Sequence, residues 1–232
     1  MSLPAAILCG GKATRLYPLT EDHPKALIEI AGEPFLAHQL RLLKRSGIDR
    51  VVLCAGYLAE MLVDYAGDGS RFGVAIDYSF DGPRPLGTAG ALKLALPRLG
   101  EEFFVLYGDS YLACDYQAVA RRFRESRKPA LMTVFANHDR FDRSNVAMGS
   151  SREILAYDKH NRTMAMKHID YGLGVFHACA FDRVPADQPM DLAALYKQLL
   201  QAGELAACEV AQRFYEIGSF EGIRELNDLL RG

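Results

Sequence analysis

Apolar positions recur along this chain in two rhythms, and the alternation between them predicts its elements. Runs of strand length occur at Ala5–Cys9, Val51–Cys54, Val74–Ser79 and Phe103–Tyr107. Between them, Leu36, Leu40 and Leu43 recur at i, i+4, i+7, while Leu58, Met61, Leu62 and Tyr65 recur at i, i+3, i+4, i+7. Each set forms one apolar stripe, which predicts helices over 34–46 and 58–66, with a third over 88–96. Strand and helix in strict alternation predict a parallel sheet. A further helix carries Tyr116, Val119, Ala120 and Phe123, with Asp115 as its N-cap. The texture then changes. Shorter strands at 130–136, 145–149, 153–157 and 172–179 predict a mixed-sheet half that folds over the first as a lid. Helices at 191–201 and 220–230 flank a strand expected near 213–217. No repeat, low-complexity tract or long linker divides the chain, so a single domain is expected.

Composition narrows the picture. The chain has 232 residues, half of them hydrophobic, enough to bury a full α/β core. With 27 basic and 29 acidic residues the net charge is −2, which offers no general attraction to nucleic acid or an anionic membrane. Any polyanion must be held by local features. Cys9, Cys54, Cys114, Cys179 and Cys208 lie far apart with no C-x-x-C pair, so neither zinc nor disulfides are expected and a reducing cytoplasm suits them. Leu3–Cys9 is too short and lacks the basic flank of a signal peptide; it is read as a first strand. The six histidines show no paired-ligand spacing, and the basic cluster from Arg121 to Lys128 is read as a solvated helix face.

Chemistry concentrates in a few segments. Leu8-Cys9-Gly10-Gly11-Lys12-Ala13-Thr14-Arg15 is a glycine-rich turn straight after a buried strand, where backbone N–H groups can wrap a phosphate chain and Arg15 adds fixed charge. Its spacing is neither that of a P-loop nor that of a dinucleotide-binding fingerprint. Leu86-Gly87-Thr88-Ala89-Gly90 sets small residues at a helix start, with Thr88 as N-cap, so that a flat base can approach the backbone. Asp109 follows an apolar strand at the edge where α/β sheets place ligands, and a carboxylate there can hold Mg²⁺ against phosphate oxygens.

Gly10-Gly11-x-x-Thr14-Arg15-Leu16-x-Pro18-Leu19-Thr20, Pro24-Lys25 and Gly32-Glu33-Pro34 closely resemble the signature of the sugar-1-phosphate nucleotidyltransferases. The resemblance continues through Pro85–Ala91, Tyr107-Gly108-Asp109, Tyr157-Asp158-Lys159, Asp170-Tyr171-Gly172 and Glu216-Ile217-Gly218-Ser219, in the family's order. It implies an α/β fold: a Rossmann-like, mixed and mostly parallel sheet with helices on both faces and an inserted sugar-binding lid. Residues 1–115 would form the nucleotide-binding half, and 116–232 the sugar-binding half with the C-terminal helices. It also implies an enzyme that joins a nucleoside triphosphate to a sugar 1-phosphate, releasing pyrophosphate, in the supply of cell-surface glycan precursors. Gly10, Gly11, Thr14 and Arg15 would hold the triphosphate, Lys25 the α-phosphate and incoming phosphate, and Gly87, Thr88 and Gly90 the base. Asp109 and Glu216 would hold Mg²⁺, Lys159 the sugar phosphate, and Asp170 with Gly172 the sugar. The Leu86–Gly90 block is similar to that of guanylyltransferases for mannose 1-phosphate or heptose 1-phosphate, which favours GTP. A uridylyl or cytidylyl enzyme, a phosphocholine cytidylyltransferase and a non-catalytic nucleotide-sugar sensor remain alternatives, and a homodimer is compatible with all of them.

Two departures stand out. Ala13 replaces a third glycine, which implies a loop geometry that tolerates a Cβ. Glu216 replaces an aspartate, so its carboxylate sits one methylene further out.

Overall fold

The computed structural model describes residues 2–11, 13–82, 84–186 and 188–232; Lys12 of the glycine turn therefore lies outside the described residues. The first half alternates as its periodicity predicts: β1 (Ala5–Leu8), a β2–β3 hairpin (Glu29–Ile30 and Glu33–Pro34), α1 (Phe35–Arg45), β4 (Arg50–Ala55), α2 (Ala59–Ala66), β5 (Ala75–Phe80), α3 (Gly87–Leu99) and β6 (Glu102–Tyr107). Strands β5, β4, β1 and β6 lie side by side and all run parallel, with Leu8 opposite Cys54 on one side and Tyr107 on the other.

Helices cover both faces. Leu36, Leu40 and Leu43 of α1 and Leu62 of α2 pack in one core with Ile7, Leu53 and Leu106. Ala89, Leu92, Ala95 and Leu99 of α3 pack in a second core, against Ala6, Val52 and Val105 on the other side of the sheet. Alternate side chains of each strand thus feed opposite cores, as the pleat requires. Fully buried Leu40 is representative: truncation to alanine in such a site costs about 2–5 kcal/mol.

After β7 (Ser110–Tyr111) come α4 (Tyr116–Ser126), β8 (Ala130–Ala136), β9 (Val146–Met148), β10 (Ile154–Tyr157), β11 (His168–His177), α5 (Leu192–Gln201), β12 (Leu205–Val210), β13 (Tyr215–Glu216) and α6 (Phe220–Arg231). Asp115 caps α4, its Oδ1 accepting from the Ala118 N–H at 2.9 Å. The second half joins the first edge-on: β11 runs antiparallel beside β6, and β8 then pairs with β11 on its far side. A nine-stranded mixed sheet results.

Several boundaries differ from the pattern. β11 begins four residues earlier than the expected 172, because its register shifts between Asp170 and Gly174 and Gly172 takes φ +95°, a kink that hides the strand's continuity. The strand expected over 213–217 shrinks to Tyr215–Glu216, paired with β7, and β12 was not anticipated at all. Helix α3 runs through Pro97 to Leu99 instead of stopping at 96. Thr88 is not its N-cap: Leu86 occupies that position, and the Thr88 hydroxyl accepts from the Leu192 N–H at 2.7 Å, tying α3 to α5.

Candidate active site

The C-terminal ends of the four parallel strands converge on one cavity of about 330 Å³. Such an edge is where parallel sheets expose unpaired backbone groups and loops, and therefore where they bind ligands. Gly10 and Gly11 after β1, Asp81 after β5, Gly87 and Thr88 at the start of α3, Tyr107 at the end of β6, and Gly108 and Asp109 after it all line it. Lys25 closes it from the 3₁₀ turn Lys25–Leu27, whose approach is fixed by Pro24 at φ −64°.

The two glycines of the turn do different things. A Cβ on Gly10 would meet Asp81 Oδ2 at 3.1 Å and the Gly56 N–H at 3.4 Å, so this glycine lets two loops abut. A Cβ on Gly11 would meet nothing within 4 Å; its face is open to a ligand. Ala13 sits at φ +48°, ψ +45°, a left-handed conformation that glycine adopts freely and an L-residue does not. Its carbonyl accepts from the Leu16 N–H at 3.0 Å and the Thr20 hydroxyl at 3.0 Å, which offsets the cost. Thr14 and Arg15 follow as exposed residues on the rim, outside the cavity lining.

Around Asp109 the charges are close. Lys25 Nζ donates to Asp109 Oδ2 at 2.6 Å. The β7–β13 ladder sets Glu216 opposite Ser110, and the Ile217 N–H donates to the Asp109 carbonyl at 2.9 Å, so both predicted metal-binding carboxylates reach one place. A Cβ on Gly218 would lie 3.4 Å from both Glu216 Oε1 and Lys25 Nζ. Burial pushes the Glu216 carboxyl up, and Asp109 and Asp142 push it further, against the pull of Lys25 and Arg15. Two neighbouring hard oxygen donors of like charge, one already strained toward its neutral form, suit a divalent cation such as Mg²⁺. No cluster of three His, Cys, Asp or Glu stands ready among the described residues, so water and phosphate would complete its shell.

On the far side of Tyr107 lies the cluster anticipated for the sugar. The Asp170 side chain is only 4% exposed. It accepts from the Tyr157 hydroxyl at 3.2 Å and the Gly172 N–H at 3.1 Å, and Lys159 Nζ stands 3.8 Å away. Burial would lower the Lys159 ammonium, yet Asp170 and Tyr107 outweigh it and hold the group above its ordinary value.

Not every expected residue reaches the cavity. Gly90 is buried beneath the helix start, where a Cβ would fall 2.8 Å from Leu86 Cβ, and a Cβ on Gly87 would fall 2.5 Å from the Met190 carbonyl oxygen. Close packing against the segment before α5 explains Gly87, which also lines the cavity, and contact with Leu86 explains Gly90. Asp81 and Gln39 were missed. Asp81 ends a predicted strand as Asp109 does, and the same edge argument would have found it. Buried Gln39 donates from Nε2 to the carbonyls of Tyr107 and Ser110, both at 2.9 Å, clamping the turn that bears Asp109; nothing in the sequence separates it from other helix positions.

The family described as Nucleotidyl transferase matches residues 4–228, and the chain belongs to it. It is similar to a UTP–glucose-1-phosphate uridylyltransferase of Synechocystis sp., 30% identical over 224 residues, covering 87% of this chain and 56% of that protein. It is similar also to a mannose-1-phosphate guanylyltransferase catalytic subunit beta of Xenopus tropicalis, 29% identical over 221 residues, 93% of this chain and 61% of the relative. The chain thus spans less than two thirds of these relatives. HddC from Yersinia pseudotuberculosis, solved with GMP-PN, has the same fold: TM-score 0.80 over 99% of this chain and all of that one, at 23% identity. Among the described residues no helix is long and apolar enough to cross a membrane.

Proposed function

We propose that this protein transfers the nucleotidyl group of a nucleoside triphosphate, GTP in preference to the others, to a sugar 1-phosphate, releasing pyrophosphate. The observation that carries this reading is the meeting of Lys25, Asp109 and Glu216 at the edge of a cavity whose other walls are the Gly10-Gly11 turn and the start of α3.

The chemistry brings two anions together. A phosphate monoester is already a nucleophile near neutral pH, so the protein needs cations more than a base. The open backbone at Gly11 and the rim charge of Arg15 face the β- and γ-phosphates and stabilise the departing pyrophosphate. Lys25 exchanges its partner Asp109 for the α-phosphate as substrate arrives, neutralising the oxygens on which charge gathers during in-line attack. Asp109 and Glu216 would hold Mg²⁺, which supplies further charge neutralisation at the phosphates. Lys159, held by Asp170, receives the phosphate of the sugar.

The preference for GTP rests on Asp81. Its carboxylate lines the cavity with Gly87 and Thr88 and has no hydrogen-bond partner among the described residues, and burial pushes its carboxyl up. Guanine presents two adjacent donors, N1–H and N2–H, which match two carboxylate oxygens. Uracil and thymine present one N–H between carbonyls, which a carboxylate repels. Relatives of similar identity are named for UTP and for GTP, so a uridylyl reading is the competitor. Pyrophosphate release measured with four triphosphates against mannose, glucose and heptose 1-phosphates decides between them. GTP should exceed UTP at least tenfold, the discrimination expected when a buried polar group loses its partner. UTP equal to or better than GTP would remove the guanylyl assignment.

A further inference from the structure

Tyr107 ends β6 between the two halves of the site, and its surroundings suit a task that neither half accounts for. Phe103 and Val105 lie on the same face of the strand and are buried in the α3 core, as alternation requires. Two residues further on, Tyr107 is only partly buried and lines the cavity with Gly108 and Asp109. Tyr107 packs against the same core and also faces the site.

Its ring is bounded on two sides. Lys159 Nζ lies over the face, 5.3 Å from the ring centroid, within the range at which a cation is drawn to an aromatic quadrupole. Along the edge, a Cβ on Gly172 would stand 3.7 Å from Tyr107 Cδ2, so the kink in β11 fits against the ring. The Tyr107 hydroxyl also hydrogen-bonds with Lys159, whereas the Asp170 carboxylate stands 3.8 Å from its Nζ, a looser pairing. A lysine with four rotatable bonds, paired only at long range with a carboxylate, needs a second partner to fix where its ammonium points.

We propose that Tyr107 is a positioning residue: its ring face and hydroxyl together hold the Lys159 ammonium toward the cavity, where it meets the phosphate of the second substrate. This rests on the transferase reading for the identity of that substrate, but the contact itself does not. Three properties follow. Both the ring and the hydroxyl matter, because the ammonium is drawn to the one and hydrogen-bonded to the other. The effect falls on the sugar phosphate and spares the triphosphate. Folding is preserved in the phenylalanine variant, which keeps the packing against Val105 and Gly172.

Calorimetry with mannose 1-phosphate, inorganic phosphate and GTP tests it on the full chain, alongside pyrophosphate release. Tyr107→Phe, which keeps the ring and loses the hydroxyl, should bind GTP within about twofold of the parent and weaken mannose 1-phosphate and phosphate less than Tyr107→Leu does. Tyr107→Leu should bind mannose 1-phosphate and phosphate about 5–10-fold more weakly, the loss of roughly 1 kcal/mol expected for an exposed to half-buried cation–π contact. Its GTP affinity should stay within twofold, with the KM for sugar phosphate rising more than kcat falls. Equal weakening for GTP and phosphate would make Tyr107 a structural residue and overturn the proposal. So would unchanged phosphate binding in Tyr107→Leu, or a parent that binds neither phosphate nor mannose 1-phosphate. A selective loss of phosphate binding in Tyr107→Leu, with a parent that releases no pyrophosphate with any triphosphate, would remove the transferase reading and leave the role of Tyr107 standing.

Discussion

The two halves of the site are built on opposite plans. On the triphosphate side the chain leaves groups unengaged: Gly11 faces open space, Thr14 and Arg15 stand exposed on the rim, and Arg15 has no ion pair among the described residues. On the sugar side the groups are already assembled. Asp170 is almost wholly buried and holds the Tyr157 hydroxyl, the Gly172 N–H and, at longer range, Lys159, which in turn lies over Tyr107. The difference follows from the ligands proposed. A flexible, highly charged triphosphate is met by backbone amides and mobile cations that complete their coordination with the ligand itself. A sugar phosphate must be oriented for attack, and a preassembled network holds its phosphate where one geometry is favoured.

That contrast predicts separable phenotypes. The largest belongs to the open side: Arg15→Ala should lose about 10²–10³ in kcat, the usual consequence of removing one group that stabilises developing charge, while its melting temperature stays with the parent's. A variant with parental pyrophosphate release would take Arg15 out of the mechanism. Asp170→Ala should behave in the opposite way. It strips the buried Tyr157 hydroxyl of its acceptor, so chemical denaturation should register a loss of about 1–3 kcal/mol, together with weaker sugar-phosphate binding. Were Asp170→Ala as stable as the parent, the sugar side would not be preassembled and the contrast would collapse.

A smaller effect separates Asp81 from both groups. Because burial raises its folded-state pKa above the ordinary 3.8, its contribution to stability is present below that value and is lost as pH rises through the folded value. Asp81→Asn should therefore melt above the parent at pH 7, with the difference shrinking as pH falls toward 3.8, while discriminating less between GTP and UTP. A more stable but less selective enzyme is the expected signature. Parallel melting curves at every pH would mean that the carboxylate is not held in a destabilising environment.

The smallest prediction concerns Ala13. Glycine there removes the cost of a left-handed L-residue, about 1 kcal/mol, and returns part of it as extra freedom in the unfolded chain. Equilibrium unfolding of Ala13→Gly should show a net gain of about 0.5 kcal/mol or less. A clear loss would mean that the alanine methyl packs against something the loop needs.

What the sequence could and could not reveal follows the same physical lines. The parallel core was legible because Leu36, Leu40 and Leu43, and the runs around Ile7, Leu53 and Val105, are governed by burial, which writes its period into the chain. β12 was not, since Leu205-Ala206-Ala207-Cys208-Glu209-Val210 carries a single β-branched residue, at its end, and no aromatic one; it is a strand because its six residues find partners along β8. The meeting of Lys25, Asp109 and Glu216 was readable only through the motif resemblance, as nothing local signals that a two-residue ladder will bring Glu216 beside a carboxylate about a hundred positions away. The helix start at Gly87–Gly90 shows the reverse. Gly87 both packs against Met190 and lines the cavity, whereas Gly90 is buried against Leu86, a difference that the run of small residues does not signal.

The proposed reaction is attack at the α-phosphorus by a sugar phosphate. Its most direct test is the fate of label from GTP carrying ³²P at either the α or the γ position, incubated with Mg²⁺, the purified protein and a sugar 1-phosphate. The account predicts that α-label passes into a nucleotide-sugar and γ-label into pyrophosphate, in equal amounts and only when the sugar phosphate is present. Label from the γ position in free orthophosphate, or γ-label passing to the sugar, would contradict it.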